Sequence, residues 1–393
     1  MSTNISRRGF SKILSASAAY AALAPSMSRS TPALRLVTRS STALDVVRLS
    51  SNENPYGPSP MALQAMTDAF RLAWRYPDEH AESLVDALTK IHGVTPAQIL
   101  LGAGSAEILK IAAAALTAPG RKLVVANPTF EAILAHARTA RADVVKIDLT
   151  PDYAHDLPKM LAAANDAGLV YICNPNNPTA SITHRDQIRA FLAKVPSQTI
   201  VLIDEAYHHY VESSEYESVV PLIKQYPNLI VARTFSKIYG MAGLRCGYCL
   251  ARPELIERLR SQQTWDSVNI MALVAASASL KDAKQLEQGR RRNGEVKKFV
   301  YSELEKSGFK WIPSQANFLM IDLGREVGPI IAAMRARNVQ VGRVFPALPN
   351  FMRVTIGTRP QMETFVSTFR EVMNRSISVL PIRRDFPPHM INC

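Results

Sequence analysis

The sequence predicts an α/β protein: a mostly parallel sheet covered by helices on both faces, with a smaller α+β layer beside it. Three observations carry this. Between residues 94 and 250, runs rich in Val, Ile and Leu alternate with helical patterns. Those runs are apolar at successive positions, as in strands buried on both faces. After Pro253 the pattern changes to long charged helical stretches and then isolated strand-like runs. A chain of 393 residues also suits two domains better than one.

In chain order, Ser59-Pro60 marks a helix start, a capping hydroxyl followed by a proline at the first helical position. Residues 54–74 are expected to join the smaller layer. The strand series is ILLG ending at 102, LVVA (123–126), DVVKIDL (143–149), LVYIC (169–173), TIVLID (199–204), LIVART (229–234) and CGYCLA (246–251). A helix is expected around 157–165, and a charged helical region over 253–307. NFLMIDL (317–323), a helix at 327–337, MRVTIG (352–357) and a last helix at 361–375 build the smaller layer. The resulting division is a leader at 1–30, a linker at 31–44, an N-terminal part of the small domain at 45–75, a large domain at 76–270, a small domain at 271–377 and an irregular tail at 378–393.

The N-terminus reads MSTNISRRGFSKILSASAAYAALAPSMSRS. Arg7-Arg8 ahead of a short Ala-rich apolar stretch matches a twin-arginine export signal. The stretch is too short and too weakly apolar for a membrane span. The expected location is periplasmic or otherwise exported, with a cytoplasmic chain as the alternative.

Composition is ordinary for a globular protein, with 47% hydrophobic and 20% charged residues. The net charge of +13 raises the question of a nucleic-acid partner. However, the basic residues are scattered. Arg290, Arg291 and Arg292 form the one tight triplet outside the termini, within a charged helical stretch that reads as a solvated face. No nucleic-acid partner is expected. Cys246 and Cys249 form a C-x-x-C, but LRCGYCLA reads as a buried strand, and no second Cys or His pair completes a metal site. Core packing is the expected role, and no metal is expected.

Sheets of this kind bind ligands beyond the carboxyl ends of their strands. Gly102-Ala103-Gly104-Ser105 follows one strand and opens an apolar helix, where small residues and free N–H groups suit an anion. By itself a tight turn explains it equally well. Asn174-Pro-Asn-Asn-Pro-Thr179 follows another strand, and Asn177 can donate its amide to a ring oxygen. Asp204 ends a buried strand, where a carboxylate needs a cation or donors. A protonated pyridine nitrogen would serve, with Tyr207 three residues on. Alone, a capping Asp is the simpler reading. Thr234-Phe-Ser236-Lys237 ends the next strand. A lysine there can lose its proton by desolvation and attack carbonyls. Thr234, Ser236 and Arg245 suit a phosphate. The ordered set at successive strand ends is far more specific than any member.

These residues, with Ser51-Asn-Glu-Asn-Pro-Tyr-Gly57, Arg75-Tyr-Pro-Asp78 and Arg353-Val-Thr-Ile-Gly-Thr358, make the chain from about 48 to 373 resemble the fold-type I, class I/II aminotransferases. Within them it is similar to the histidinol-phosphate aminotransferase group. The resemblance implies a pyridoxal 5'-phosphate enzyme that moves an amino group from an amino acid, or a histidinol-phosphate-like amine, to a 2-oxo acid. Decarboxylation or elimination on the same fold is the alternative.

It implies that Lys237 bears the cofactor as a Schiff base, Asp204 pairs with the ring nitrogen, and Tyr207 and Asn177 contact the ring 3-oxygen. Ser105, the Ala106 amide, Thr234, Ser236 and Arg245 would hold the phosphate, and Phe130 would stack on the ring. Tyr76 would reach the phosphate of a partner subunit, which implies a homodimer. Arg353 would grip a substrate carboxylate, and Tyr56 and Asn317 would line the substrate pocket. Phe130, Ala106 and Ala180 depart from the family's usual Tyr, acidic residue and Gly.

Overall fold

The computed structural model describes residues 46–377. The twin-arginine segment, the linker at 31–44 and the tail at 378–393 lie outside the described residues. The strands are β1 (Val47–Arg48), β2 (Ile99–Gly102), β3 (Lys122–Asn127), β4 (Val144–Asp148), β5 (Ala167–Cys173), β6 (Ile200–Asp204), β7 (Leu229–Thr234), β8 (Gly247–Leu250), β9 (Lys310–Ile312), β10 (Phe318–Asp322), β11 (Val339–Gln340) and β12 (Phe351–Thr355). Seven of them form one sheet in the order β2-β8-β7-β6-β5-β3-β4. From β4 to β7 every pairing is parallel, and β8 runs antiparallel to both of its neighbours. The sheet is therefore mostly parallel.

Both faces of this sheet are covered, for the reason its sequence runs are apolar throughout. Val124, Val170, Ile172, Val201, Ile203 and Val231 pack on one face. Leu123, Val125, Leu169, Tyr171, Leu202 and Ile230 pack on the other. The alternation is the two-residue period of a strand. β12-β10-β9 forms a separate antiparallel sheet. Its own core includes Val300, Leu319, Met334, Val354 and Phe365.

The helices are α1 (Pro60–Ala69), α2 (Asp78–His92), α3 (Ser105–Leu116), α4 (Ala132–Thr139), α5 (Leu157–Ala163), α6 (Arg185–Leu192), α7 (Pro253–Arg260), α8 (Ile270–Lys281), α9 (Ala283–Lys306), α10 (Gly328–Arg335) and α11 (Arg359–Ile377). Ser59 caps α1 by accepting from the Ala62 amide, with Pro60 behind it. None of the described helices is long and apolar enough to cross a membrane.

The charged region over 253–307 is helical as expected and consists of three helices, α7, α8 and α9. The side chains of Asn269 and Asp282 cap α8 and α9 separately, accepting from the Ala272 and Gln285 amides. One expectation is corrected: α1 does not join the smaller layer. Ala62 of α1 and Ala272, Leu273, Ala275 and Ala276 of α8 belong to the core of the seven-stranded sheet, together with Leu84 and Leu88 of α2. Alanine-lined faces let these helices approach closely, and periodicity within a helix carries no information about which sheet receives it.

Candidate active site

The turns after β2, β3, β5, β6 and β7 and the residues before β8 meet at one edge of the large sheet. There they line a cavity of about 340 Å³ bounded by Ser105, Phe130, Asn177, Asp204, Lys237 and Arg353. Ala106, Tyr207, Thr234, Ser236 and Arg245 line it as well. The volume lies in the range of small-molecule sites. β8 is antiparallel, so its first residues arrive at the same edge as the last residues of β5, β6 and β7. That is how Arg245, before β8, reaches the turn after β7.

At the anion end, Arg245 donates to the Ser236 hydroxyl at 3.3 Å, the Ala242 carbonyl at 2.9 Å and the Ala103 carbonyl at 3.4 Å. Among the described residues these hydrogen-bond acceptors are all neutral. The first turn of α3 begins beside it with Ser105, after Gly104 at φ +80°. A Cβ on Gly104 would stand 2.3 Å from the Arg245 guanidinium, and a Cβ on Gly247 2.5 Å from the Ser105 amide nitrogen. Glycine at both positions is what lets the guanidinium and the helix start converge.

At the centre, Lys237 Nζ donates to the Asn52 carbonyl at 3.2 Å and lies 5.4 Å from the Tyr207 ring centroid. Burial, and next the nearby charge of Arg353, hold the amine down at about 8. Asp204 accepts from the Tyr171 hydroxyl at 3.0 Å and the Ala206 amide at 3.1 Å. Burial pushes its carboxyl up to about 6 against those two hydrogen bonds. Asn177 Nδ2 donates to the Tyr207 hydroxyl at 3.4 Å. Burial raises the Tyr207 phenol, which remains protonated.

At the far wall Arg353 arrives from β12 of the other sheet. It donates to Asn177 Oδ1 at 2.8 Å and to the Ser50 carbonyl at 2.7 Å. Its Nε is buried and has no hydrogen-bond partner among the described residues. An unpartnered buried guanidinium N–H costs free energy until an acceptor meets it, and the cavity is where one can arrive.

Three of the expected residues lie elsewhere. Asn317 and Tyr56 do not line this cavity; both line a narrow crevice beside it, with Tyr210, Gly289 and Ile356. Asn317 instead donates to the Asn52 and Glu53 carbonyls at 3.1 and 3.3 Å and so fixes the segment that lies over Lys237. Tyr56 packs under the Arg292 guanidinium at 4.8 Å. In the arginine triplet, Arg290 and Arg291 are exposed, as a solvated face requires, Arg291 pairing with Glu295 at the surface, while Arg292 is partly buried against Tyr56. Tyr76 is 81% exposed, away from the cavity of its own chain. Cys246 and Cys249 are buried, and burial raises both thiols to about 12. Ala180, where the resemblance expects Gly, has a left-handed backbone at φ +59°, the conformation that glycine adopts without strain.

Two residues of the site were not anticipated. Asn52 is buried with φ +55°. Its amide group donates to the Tyr207 hydroxyl at 3.1 Å, its backbone N–H to Thr355 Oγ1 at 2.9 Å, and its carbonyl receives Lys237. It ties Lys237 to the smaller sheet. Tyr171 is the donor to Asp204. A lone Tyr in the aliphatic LVYIC strand was a signal for it, since a buried phenol seeks a partner. Asn52 stood within the quoted motif without an assigned role.

The described family "Aminotransferase class I and II" matches residues 44–369. Histidinol-phosphate aminotransferase of Moorella thermoacetica is 40% identical over 333 residues, 84% of this chain and 86% of that protein. The histidinol-phosphate aminotransferase of Brevibacillus brevis is 37% identical over 85% of this chain and 92% of its own. Among solved structures, histidinol-phosphate aminotransferase from Sinorhizobium meliloti in complex with pyridoxal-5'-phosphate superposes with a TM-score of 0.79. It is 26% identical over 90% of this chain and 99% of that one.

The residues present fit that cofactor. It requires an anion cradle, a carboxylate for a ring nitrogen and an amine for an aldehyde. Here a glycine-opened cradle around Arg245, a buried under-bonded Asp204 and a desolvated Lys237 face one cavity. The chain therefore belongs to the class I and II aminotransferases, and it is a pyridoxal-phosphate-dependent aminotransferase of fold type I.

Proposed function

We propose that this enzyme transfers the amino group of an α-amino acid to a 2-oxo acid, with Lys237 carrying the cofactor and moving the proton. The observation that supports it best is the buried Lys237 amine, held at about 8, in one cavity with Asp204 and the unpartnered Nε of Arg353. When bound, pyridoxal phosphate supplies a carbonyl that condenses with amines and a ring that takes up the electron pair of the substrate α-carbon.

The chain's residues divide the rest of the work. Asp204 keeps the ring nitrogen protonated, and Tyr171 fixes the orientation of that carboxylate. Tyr207 and Asn177 would hold the ring 3-oxygen, and Phe130 would pack against the ring. Ser105, the Ala106 amide, Thr234, Ser236 and Arg245 hold the phosphate. Arg353 grips the α-carboxylate of the substrate, which favours its retention over decarboxylation. Lys237 Nζ takes the proton from the α-carbon and returns it on the other side of the transfer, base and then acid.

Lys237→Ala is expected to lower turnover by at least about 10⁴-fold, to abolish the protein-bound cofactor absorbance and to leave no peptide labelled after borohydride. Oxo-acid formation without carbon dioxide release is the expected product balance. Full turnover in that variant overturns the reading.

Two further parts of the proposal concern context. The exposed Trp74, Tyr76 and Trp265 form an apolar surface that a second copy would cover, bringing Tyr76 to the partner's cofactor phosphate. A monomer by light scattering removes this part. The twin-arginine segment directs export of the folded holoenzyme. Retention in the cytoplasm with Arg7-Arg8 intact removes that one.

A further inference from the structure

One ion pair outside the catalytic set joins the two sheets beside the cavity. Glu131 directly follows Phe130, which lines the cavity, and stands at the start of α4. Arg343 follows β11 and donates to the Glu131 carboxylate. Their side chains are 52% and 50% exposed for Arg343 and Glu131 respectively, so the pair sits at the rim rather than within the lining. The Arg343 guanidinium lies 4.3 Å from the Phe345 ring centroid, and the Arg353 guanidinium 5.2 Å from the same ring. Arg343 is thus one aromatic ring away from the arginine that faces the substrate.

These contacts set the charge a substrate meets as it extends outward from Arg353. Without Glu131, two guanidiniums would flank Phe345, and a second anionic group on the substrate would find a free fork. With Glu131 in place, Arg343 is already neutralised. A distal phosphate or carboxylate would have to displace Glu131 and would meet its charge as repulsion. An uncharged side chain meets no such repulsion, and Phe130 lines the cavity it enters.

We infer that Glu131 is a specificity-determining residue: by pairing with Arg343 it makes the site favour amino donors uncharged at their far end over donors with a distal phosphate or carboxylate. The inference rests on the transamination reading above and names the substrate class of that site. It also separates this chain from what the names of its relatives would suggest.

The test is the amino-donor half reaction of the full-length holoenzyme, without oxo acid, followed by stopped-flow absorbance of the cofactor. Phenylalanine and histidinol phosphate are the two probes. The wild type is expected to react faster with phenylalanine. Glu131→Gln is expected to shift the ratio of the two rates about tenfold toward histidinol phosphate, and adding Arg343→Gln is expected to abolish the shift. A wild type that prefers histidinol phosphate, an unchanged ratio in Glu131→Gln, or a shift that survives Arg343→Gln overturns the inference while leaving transamination intact. If neither donor converts the wild-type cofactor, the transamination reading itself fails.

Discussion

Two buried carboxylates occupy adjacent positions at the end of β6, and they are treated in opposite ways. Glu205 points to one side. It accepts from Arg233 Nε at 3.0 Å and Nη2 at 2.7 Å, from the Ser218 hydroxyl at 2.9 Å and from the Val219 amide at 2.7 Å. Asp204 points to the other side, into the cavity. It has one phenol and one amide, and no ion pair among the described residues. Glu205 is a saturated ion pair, one oxygen held by two Arg233 nitrogens and the other by the Val219 amide; Asp204 is left with capacity to spare. The difference shows that burial of a charge does not mark function. What marks it is burial with incomplete satisfaction, facing open volume. The same contrast holds between Arg233, fully engaged, and Arg353, whose Nε has no partner.

The contrast can be broken first at Glu205. Glu205→Gln leaves Arg233 buried without its counter-charge, and is expected to destabilise the fold by about 3–5 kcal/mol, read as a lower denaturant midpoint. The specific activity of the folded fraction should change much less. Equal loss of stability and chemistry would place both carboxylates in one role. Next is Asp204→Asn, expected to cost roughly 10²–10³-fold in kcat with a denaturant midpoint close to wild type. A stability loss like that of Glu205→Gln, with activity retained, would assign Asp204 to structure.

The smallest effect is in pH. Burial, and then the charge of Arg233, hold His92 down at about 4, where it bonds the Tyr248 hydroxyl at 2.9 Å. Its folded value lies below its ordinary 6.5, so the unfolded chain binds the proton first. The stabilisation is complete above about pH 6.5 and is lost as pH falls toward 4. Stability is expected to drop between pH 7 and pH 5, with a shallower drop in His92→Asn. Identical pH profiles would remove His92 from the network around Arg233.

Much of the site was legible before any coordinates, because it is built where local signals are strongest. Asp204, Lys237, Asn177 and Ser105 each follow an apolar run, and a parallel sheet delivers all such ends to one edge. Arg353 was legible through its motif. By contrast, Glu205 and Arg233 were passed over, since nothing local distinguishes a charge that ends inside a partner from one that ends in a cavity. The contacts of Asn317 were not legible for a related reason: its amide goes to the Asn52 and Glu53 backbone, far away in the chain.

The amino-acid sequence alone determined the strand series, the mostly parallel sheet, the cofactor and the residues at the strand ends, because two-residue and helical periodicities and turn chemistry act over a few positions. The tertiary structure decided which core receives α1 and α8, how Asn52 bridges lysine and smaller sheet, and which arginine keeps an unpartnered Nε among the described residues and which is held by Glu131. Those outcomes depend on pairs far apart in the chain, Asn52 with Thr355 and Glu131 with Arg343, that come together only when the two sheets are in place.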